Sequence, residues 1–418
     1  MKRLCALCLT LLMALTLISC ATSELTTDTS PPEPTHNLQT ITPAEENDQQ
    51  DSNGSETLDE QIEGRITIVA QAPSVDPIFR NPLQTMAKYG EEKINIRYWP
   101  LIVFNREETH SILEEITGNT EVKVFIANPL VPIVWSDGTT FKELREKRED
   151  IFIVYCLHRM WLSDEKLPDL AGVADLILVL DDIGIGPAAV RQAYKMGAET
   201  FVHYSRTHSM TDIDFARLEL IEKECAILGI SFVEIIVPDW VYAGGYEVLK
   251  FFREDIPRVV QKYGKNTAFF AREPIVMAEA ISKGAIFPHP ADFFFSPFNN
   301  LLYMMDLRSL DDDDFSELNS RANEAIEWTR NFLAERDMLG RVSNWPVPYP
   351  FMFTYTAAEY AIKWMNGEVS RERIDVDVLR HLMKDYAGVE VFLTPFTDAN
   401  TGRTYDNILL VRMDYIIY

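Results

Sequence analysis

The sequence has little cysteine and far fewer basic than acidic residues, and both shortages limit its class. Only five of its 418 residues are cysteine, which excludes a scaffold built on disulfide bonds. Its 39 lysines and arginines face 64 aspartates and glutamates, so the net charge is −25. A protein needs basic residues to bind nucleic-acid phosphates or anionic lipid headgroups. We therefore predict no nucleic-acid partner and no adhesion to anionic lipid.

The first twenty residues have the pattern of a signal peptide. Lys2 and Arg3 are followed by an uncharged, mostly apolar stretch that ends at Ser19. A permanent span needs roughly 20 apolar residues, so this stretch is short for one. Cys20 then follows a small residue, which resembles the lipobox of bacterial lipoproteins. The resemblance implies cleavage before Cys20, lipid on its thiol, and an extracytoplasmic location anchored to the bacterial cell membrane. An ordinary signal peptide with an incidental cysteine is the alternative.

Residues 21–64 have the composition of a disordered acidic linker. This stretch contains eleven aspartates and glutamates, no lysine or arginine, and the prolines Pro31, Pro32 and Pro34. Such a composition cannot bury enough apolar surface to fold. Two cysteines remain after the linker, Cys156 in a strand-like run and Cys225 in a helix-like run. Either a disulfide bond or two free buried thiols is compatible with that pattern.

Short apolar runs alternate with helix-like segments along the rest of the chain. The predicted strands are 66–70, 94–98, 122–126, 151–156, 176–180, 200–204, 231–237, 267–270 and 285–287. Glycine precedes several of them, as at Gly197 and Gly229, because it takes positive φ at a helix end without a clash. This alternation indicates parallel sheets with helices on both faces. The length suits two lobes, so the predicted fold class is α/β with two doubly wound parallel-sheet lobes.

From residue 176 to about 288 the order of these parts resembles the type I periplasmic-binding fold. More narrowly, residues 188–204 (AAVRQAYKMGAETFVHY) and 256–270 (IPRVVQKYGKNTAFF) resemble a family of bacterial lipoproteins within that fold, known only as a domain of unknown function. The resemblance covers most of the chain from Arg65. It implies two lobes joined by several crossovers.

The pattern and the resemblance together suggest domain boundaries. The first lobe takes residues 65–198 plus about 298–340, and the second lobe takes residues 199–297. Residues 341–418 form a C-terminal segment whose lobe the sequence leaves open.

In open parallel sheets, ligands bind at the carboxyl ends of the strands. This rule selects polar and aromatic residues that follow the predicted strands. The predicted ligand-binding residues are Gln71, Ser74, Asp76, Asn128, His158, Asp181, Asp182, Ser205, Arg206, His208, Asp239, Trp240, Arg272 and Glu273. The alternative for several of them is a helix cap, since aspartate and serine at strand-to-helix turns often act as caps.

The chemistry of this set favours a neutral or cationic polar ligand, such as a sugar or nucleoside. Carboxylates accept hydrogen bonds from hydroxyl groups, and the rings of Trp240 and Trp345 could stack on a ligand ring. A multiply anionic ligand would need more basic residues than Arg206 and Arg272. We therefore expect a solute-binding lipoprotein that works beside an ABC permease or a membrane sensor.

A dinucleotide site is one alternative to this expectation, and two other function classes are also possible from the sequence. Residues 184–189 (GIGPAA) fit the G-x-G-x-x-A pattern of dinucleotide sites, but the preceding Asp181 and Asp182 would repel a pyrophosphate. The sequence contains no His-Glu-x-x-His pair and no Gly-x-Ser-x-Gly elbow, so we predict no metal, no cofactor and no catalytic residue. An extracellular hydrolase using Asp181, Asp182 and His208 is the enzymatic alternative. A structural envelope lipoprotein is the other.

Overall fold

A computed structural model of the chain describes residues 63–71, 81–99, 106–128, 139–157, 166–206, 210–271, 274–289 and 322–418. All of them belong to one unit that runs from Ile62 to Tyr418. Cys20 and residues 21–62 of the predicted linker lie outside the described residues. Within these ranges, no helix is both long enough and apolar enough to cross a membrane.

Strands and helices alternate along most of the described chain. The strands are β1 (Arg65–Gln71), β2 (Ile94–Trp99), β3 (Val122–Ala127), β4 (Phe152–Leu157), β5 (Leu176–Leu180), β6 (Thr200–Arg206), β7 (Ser231–Val237), β8 (Thr267–Phe270), β9 (Phe287–His289), β10 (Val342–Asn344), β11 (Val391–Thr397), β12 (Thr404–Met413) and β13 (Ile416–Ile417). The helices are α1 (Asn81–Tyr89), α2 (Arg106–Gly118), α3 (Thr139–Lys147), α4 (Leu167–Ala171), α5 (Ile185–Lys195), α6 (Asp212–Leu228), α7 (Trp240–Ala243), α8 (Gly245–Tyr263), α9 (Pro274–Ser282), α10 (Ala322–Ala334), α11 (Tyr349–Met365) and α12 (Val376–Ala387).

The first sheet has seven strands in the order β11-β12-β5-β4-β3-β1-β2. Its neighbours run parallel, except that β11 is antiparallel to β12. Ile177 of β5 lies opposite Ile408 of β12. A strand from the end of the chain therefore extends the sheet that the first five strands begin.

The second group of strands forms two three-stranded sheets, ordered β7-β6-β8 and β13-β10-β9. A single parallel bridge between Ala268 and Ile286 links them. Pairing within the group is parallel except between β10 and β13. The predicted α/β class with parallel sheets is confirmed.

Apolar side chains fill both faces of the central strands, because helices cover both faces. Every residue of β4 and β5 is buried. Phe152 and Trp345 lie in the core on one face of the first sheet, and Tyr155 lies in the core on the other. In the second group, Phe269 and Phe201 lie in two separate cores.

Residues 322–340 pack differently from the sequence-based expectation, which placed about 298–340 in the first lobe. Leu333 of α10 and the nearby Met338 share a core with Val202 of β6 and Phe269 of β8. The physical reason is that α10 leads into β10, which pairs with β9. The described part of this range therefore packs with the second group.

The C-terminal segment is divided between the two groups of strands. β10 and β13 belong to the second group, whereas β11 and β12 belong to the first sheet. The chain passes between the groups at three described connections: 195–200 after α5, 344–349 before α11, and 413–416 before β13. These crossovers are the feature that the resemblance implied.

Helices α5 and α6 approach each other closely at Gly186. A Cβ atom at this position would lie 2.6 Å from Cγ of Arg217 and 2.8 Å from Cγ1 of Ile221, both on α6. At Gly118, the last residue of α2, a Cβ atom would meet nothing within 4 Å. The two helical glycines therefore form a matched pair for testing this contact.

We predict that Gly186→Ala lowers the free energy of unfolding by about 1–3 kcal/mol, because the neighbouring side chains must shift to admit the methyl group. Gly118→Ala should leave it unchanged or raise it by up to about 1 kcal/mol, because alanine restricts the unfolded chain. Urea denaturation of the two variants measures both values. Equal effects of the two substitutions would contradict the close packing of α5 on α6.

Candidate functional site

Polar residues lie at the carboxyl ends of the parallel strands in both groups. Six predicted residues have described side chains, and all six occupy such ends: Asn128 after β3, Asp181 and Asp182 after β5, Ser205 and Arg206 at the end of β6, and Asp239 after β7. Gln71 ends β1 and Trp240 begins α7, and only their backbones are described. Ser74, Asp76, His158, His208, Arg272 and Glu273 lie outside the described residues.

Asn128 joins the end of the first sheet to helix α11. Its side chain is buried, and its Nδ2 donates a hydrogen bond to Oγ1 of Thr354 over 2.8 Å. Its backbone N–H donates to the carbonyl of Val69 over 2.9 Å. The Asn128–Thr354 bond therefore ties α11, the helix that follows the crossover at 344–349, to the end of a strand of the first sheet.

Asp181 holds the start of helix α5. Its Oδ1 accepts a hydrogen bond from the backbone N–H of Gly184 over 2.9 Å. A Cβ atom at Gly184 would lie within 3 Å of the Asp181 carboxylate, so a larger residue there would displace this carboxylate. The carboxylate therefore occupies the place at the helix start that a dinucleotide pyrophosphate would need. Of the two glycines in residues 184–189 (GIGPAA), Gly184 donates the hydrogen bond in this turn and Gly186 lies at the contact with α6.

The same carboxylate faces a partly buried arginine of β12. Oδ2 of Asp181 lies 3.8 Å from Nε of Arg412, whose guanidinium group lies 4.5 Å from the ring centre of Phe392. Burial lowers the pKa of Arg412, while the charge of Asp181 acts in the opposite direction. Asp181 thus contacts both α5 and β12, each of which leads into a crossover.

Asp182 and Ser205 also take part in internal contacts. The buried Arg217 of α6 donates from Nη1 to the backbone carbonyl of Asp182 over 3.1 Å. The hydroxyl of Ser205 lies 2.8 Å from Nδ1 of His203, and both side chains are buried. The ring of His203 stacks on Phe270 at 5.6 Å. These contacts stabilise the strand ends, and a ligand role for either residue stays a prediction.

Beyond β7, a short aromatic segment lies near Asp239. The Asp239 carbonyl accepts hydrogen bonds from the N–H groups of Tyr242 at 3.1 Å and Ala243 at 2.8 Å. Tyr242 and Tyr246 are 76 % and 75 % exposed, on either side of a break at Gly244, where φ is +79°. These two tyrosines are not among the residues predicted from the sequence. Aromatic residues around a glycine pair after a strand were the signal that could have found them.

Trp345 packs inside the protein and presents no face for a ligand ring. Its side chain is fully buried in the core of the first sheet, 6.5 Å from the ring of Tyr415. Tyr349, Phe351 and Phe353 lie in the same core. The suggestion that Trp345 stacks on a ligand is therefore wrong in this arrangement.

The two described cysteines are free and poorly suited to nucleophilic chemistry. Cys156 and Cys225 are both buried, and no disulfide joins them. Burial raises the pKa of Cys225 to about 12 and raises that of Cys156 as well. Neither thiol ionises near neutral pH, so neither resembles an activated cysteine.

A family model matches residues 65–329 of this chain, and its description is "Protein of unknown function (DUF3798)". A curated relative, an uncharacterised protein from Treponema pallidum (strain Nichols), is 28 % identical over 160 residues. That match covers 37 % of this chain and 69 % of the relative.

The fold is similar to that of a crystal structure named a putative transcriptional regulator from Clostridium difficile 630. The TM-score is 0.69 at 19 % identity, over 85 % of this chain and 99 % of that chain. A sugar ABC transporter structure from Actinomyces odontolyticus ATCC 17982 covers 85 % of this chain and 95 % of its own, at 13 % identity and a TM-score of 0.48. That likeness says nothing about the ligand here. The parallel sheets and their crossovers form a type I periplasmic-binding-like fold.

We predict that Asp181→Ala lowers the free energy of unfolding by roughly 1–3 kcal/mol, because it removes the acceptor for Gly184 and the charge beside Arg412. Asp181→Asn should cost less, because its amide oxygen can still accept from Gly184. Chemical denaturation of both variants provides the measurement. If alanine and asparagine were equally destabilising, the hydrogen bond to Gly184 would not be what holds α5.

Proposed function

This chain belongs to the DUF3798 family of proteins of unknown function, and we propose that it is an extracytoplasmic solute-binding lipoprotein, closing two lobes over a small polar ligand for import or sensing. One observation carries the proposal. Two groups of parallel strands, each with its own cores, end in polar residues and are joined by three described crossovers. Ligands of open α/β sheets bind beyond such strand ends.

The crossovers provide the hinges for closure of the lobes. Each group of strands can move as a rigid body about connections of only a few residues. A ligand that contacts both groups binds the closed state better than the open state, and this difference in affinity shifts the equilibrium towards closure. The closed state is then the signal that an ABC permease or a membrane sensor would recognise.

For the ligand, we propose a sugar or nucleoside. Arg206 and Asp239 offer charged groups at strand ends of the second group, and the exposed Tyr242 and Tyr246 follow Asp239 closely. Charged hydrogen-bonding groups near aromatic faces suit a polar ring. Ser74, Asp76, His158, His208, Arg272 and Glu273 are the further contacts that we propose from their positions in the sequence.

The proposed location depends on lipid at Cys20. We predict that Cys20→Ser releases the protein from the membrane fraction, because acyl chains contribute about 0.8 kcal/mol per buried methylene group. Fractionation of cells that express the two forms provides the measurement. If the serine variant stayed with the membrane, the protein would be held there by something other than the lipid.

A thermal-shift screen tests the function itself. A true ligand at about 100 times its dissociation constant should stabilise the protein by about 2.7 kcal/mol. We expect sugars or nucleosides to do so and to be recovered chemically unchanged. Consumption of the ligand would instead indicate an enzyme, and the absence of any stabilising compound would favour a structural lipoprotein. Stabilisation by phosphorylated or dicarboxylic compounds alone would contradict the neutral-ligand proposal.

The aromatic segment can be tested with any sugar or nucleoside found in that screen. Tyr246→Ala should weaken binding by roughly three- to tenfold, the effect of losing one aromatic contact. Tyr194→Ala is the matched control, because Tyr194 is also exposed (53 %) but lies on α5, away from the strand ends. Titration calorimetry measures both affinities. Unchanged binding by the Tyr246 variant would remove that residue from the proposed site.

A further inference from the structure

A polar pocket lies at the amino-terminal edge of the first sheet, at the ends of the strands opposite the proposed ligand site. Its volume is about 430 Å³, a size typical of small-molecule sites. Helix α3, the turn before β5, the loop between α11 and α12, and the start of β12 contribute to its wall. The charged side chains that line it are Arg145, Asp175, Arg371, Glu372, Arg373 and Asp406.

Asp175 forms a rigid floor for this pocket. Its carboxylate accepts hydrogen bonds from Nη2 of Arg145 and Nε of Arg371, both at 2.6 Å, and from the backbone N–H of Ile153 at 2.7 Å. Arg145 also donates from Nε to the carbonyl of Val173 over 3.0 Å. Charge-assisted bonds of this kind are short and directional, so the floor is in place before any ligand arrives.

The floor has a surplus of positive charge. Two guanidinium groups share the single carboxylate of Asp175. Arg371 uses Nε for Asp175 and Nη1 for the carbonyl of Glu149, and among the described residues its Nη2 has no hydrogen-bond partner, so this group is available to a ligand. An anionic group of a ligand would find its best partner there.

The rim of the pocket carries both signs of charge. Arg373 adds a further guanidinium group, and Glu372 and Asp406 add two carboxylates. All three residues are exposed, and within the described ranges none of their side chains forms an ion pair. A lone carboxylate in the pocket would therefore meet Glu372 and Asp406, and a lone amine would meet the arginines.

We propose that this pocket is a second binding site, which takes a small zwitterion of the amino-acid or short-peptide class. The ligand carboxylate binds Arg371 and Arg373, and its ammonium group binds Glu372 and Asp406. A molecule with both charges satisfies both sets of groups and avoids both repulsions. Because the wall comes from the first sheet and the elements packed on it, binding here needs no closure of the lobes.

Titration calorimetry on the full chain tests the proposal with four probes: L-alanine, trialanine, propionate and propylamine. Propionate and propylamine each carry one of the two charges of alanine on a chain of similar size. Alanine or trialanine should bind more tightly than either of these single-charge probes. A preference for alanine would indicate free amino acids, and a preference for trialanine would indicate peptides.

Three variants then locate the bound zwitterion. Arg373→Ala and Asp406→Asn should each weaken binding by roughly tenfold, because each removes one charge-assisted contact. Both residues are exposed, so neither change disturbs the core. Arg380→Ala is the control, since Arg380 lies on α12 and pairs with Asp377 outside the pocket. Its affinity should match that of the unchanged protein.

Several results would overturn the proposal. Propionate or propylamine that binds as tightly as alanine would show that one charge is sufficient. A zwitterion whose affinity survives both Arg373→Ala and Asp406→Asn would be bound elsewhere, for example between the lobes. The absence of binding by both zwitterions would leave the pocket with only the structural role of its floor.

Discussion

Ile185, the first residue of α5, packs in a core of the first sheet, whereas Ala189, Val190 and Ala193 on the same helix pack in a core of the second group. A helix that packs in cores of both groups is an element that holds the two groups together. Its start is held by Asp181, and its flank meets α6 where Gly186 leaves room. The other two described crossovers join the same two groups of strands.

This constraint explains how the charged residues near the junction are used. Asp181 contacts Gly184 and Arg412, and Arg217 donates to the carbonyl of Asp182. Charges that are largely removed from water are stable only with such partners. Polar residues at strand ends therefore differ in role. Those beside α5 stabilise the junction, whereas Arg206 and the segment after Asp239 are among the groups that we propose for the solute.

The sequence predicted β1 to β8 well, because each is a compact apolar run, and 176–180 coincides with β5. It predicted none of the strands β10 to β13. It placed the range of α10 in the first lobe and left the lobe of β12 open, because the partners of both elements are distant in the chain. Contacts between residues distant in the chain were also unpredictable at the proposed ligand site and at the polar pocket. The position of Asp181 after a strand was predictable, but its contact with Arg412 was not. The floor of the polar pocket joins Asp175 to Arg371 across 196 residues, and no local pattern reveals such a pair.

Closure of the two lobes over a solute can be tested by one distance between them. Cys156 and Cys225 are buried, so with Cys5, Cys8 and Cys20 all replaced by serine, spin labels can be directed to Glu143→Cys on α3 and Glu254→Cys on α8, both exposed positions. Pulsed electron resonance then measures the separation of the labels with and without a solute that raises the melting temperature. We expect a shorter and narrower distance distribution with the solute bound. An unchanged distribution would contradict lobe closure.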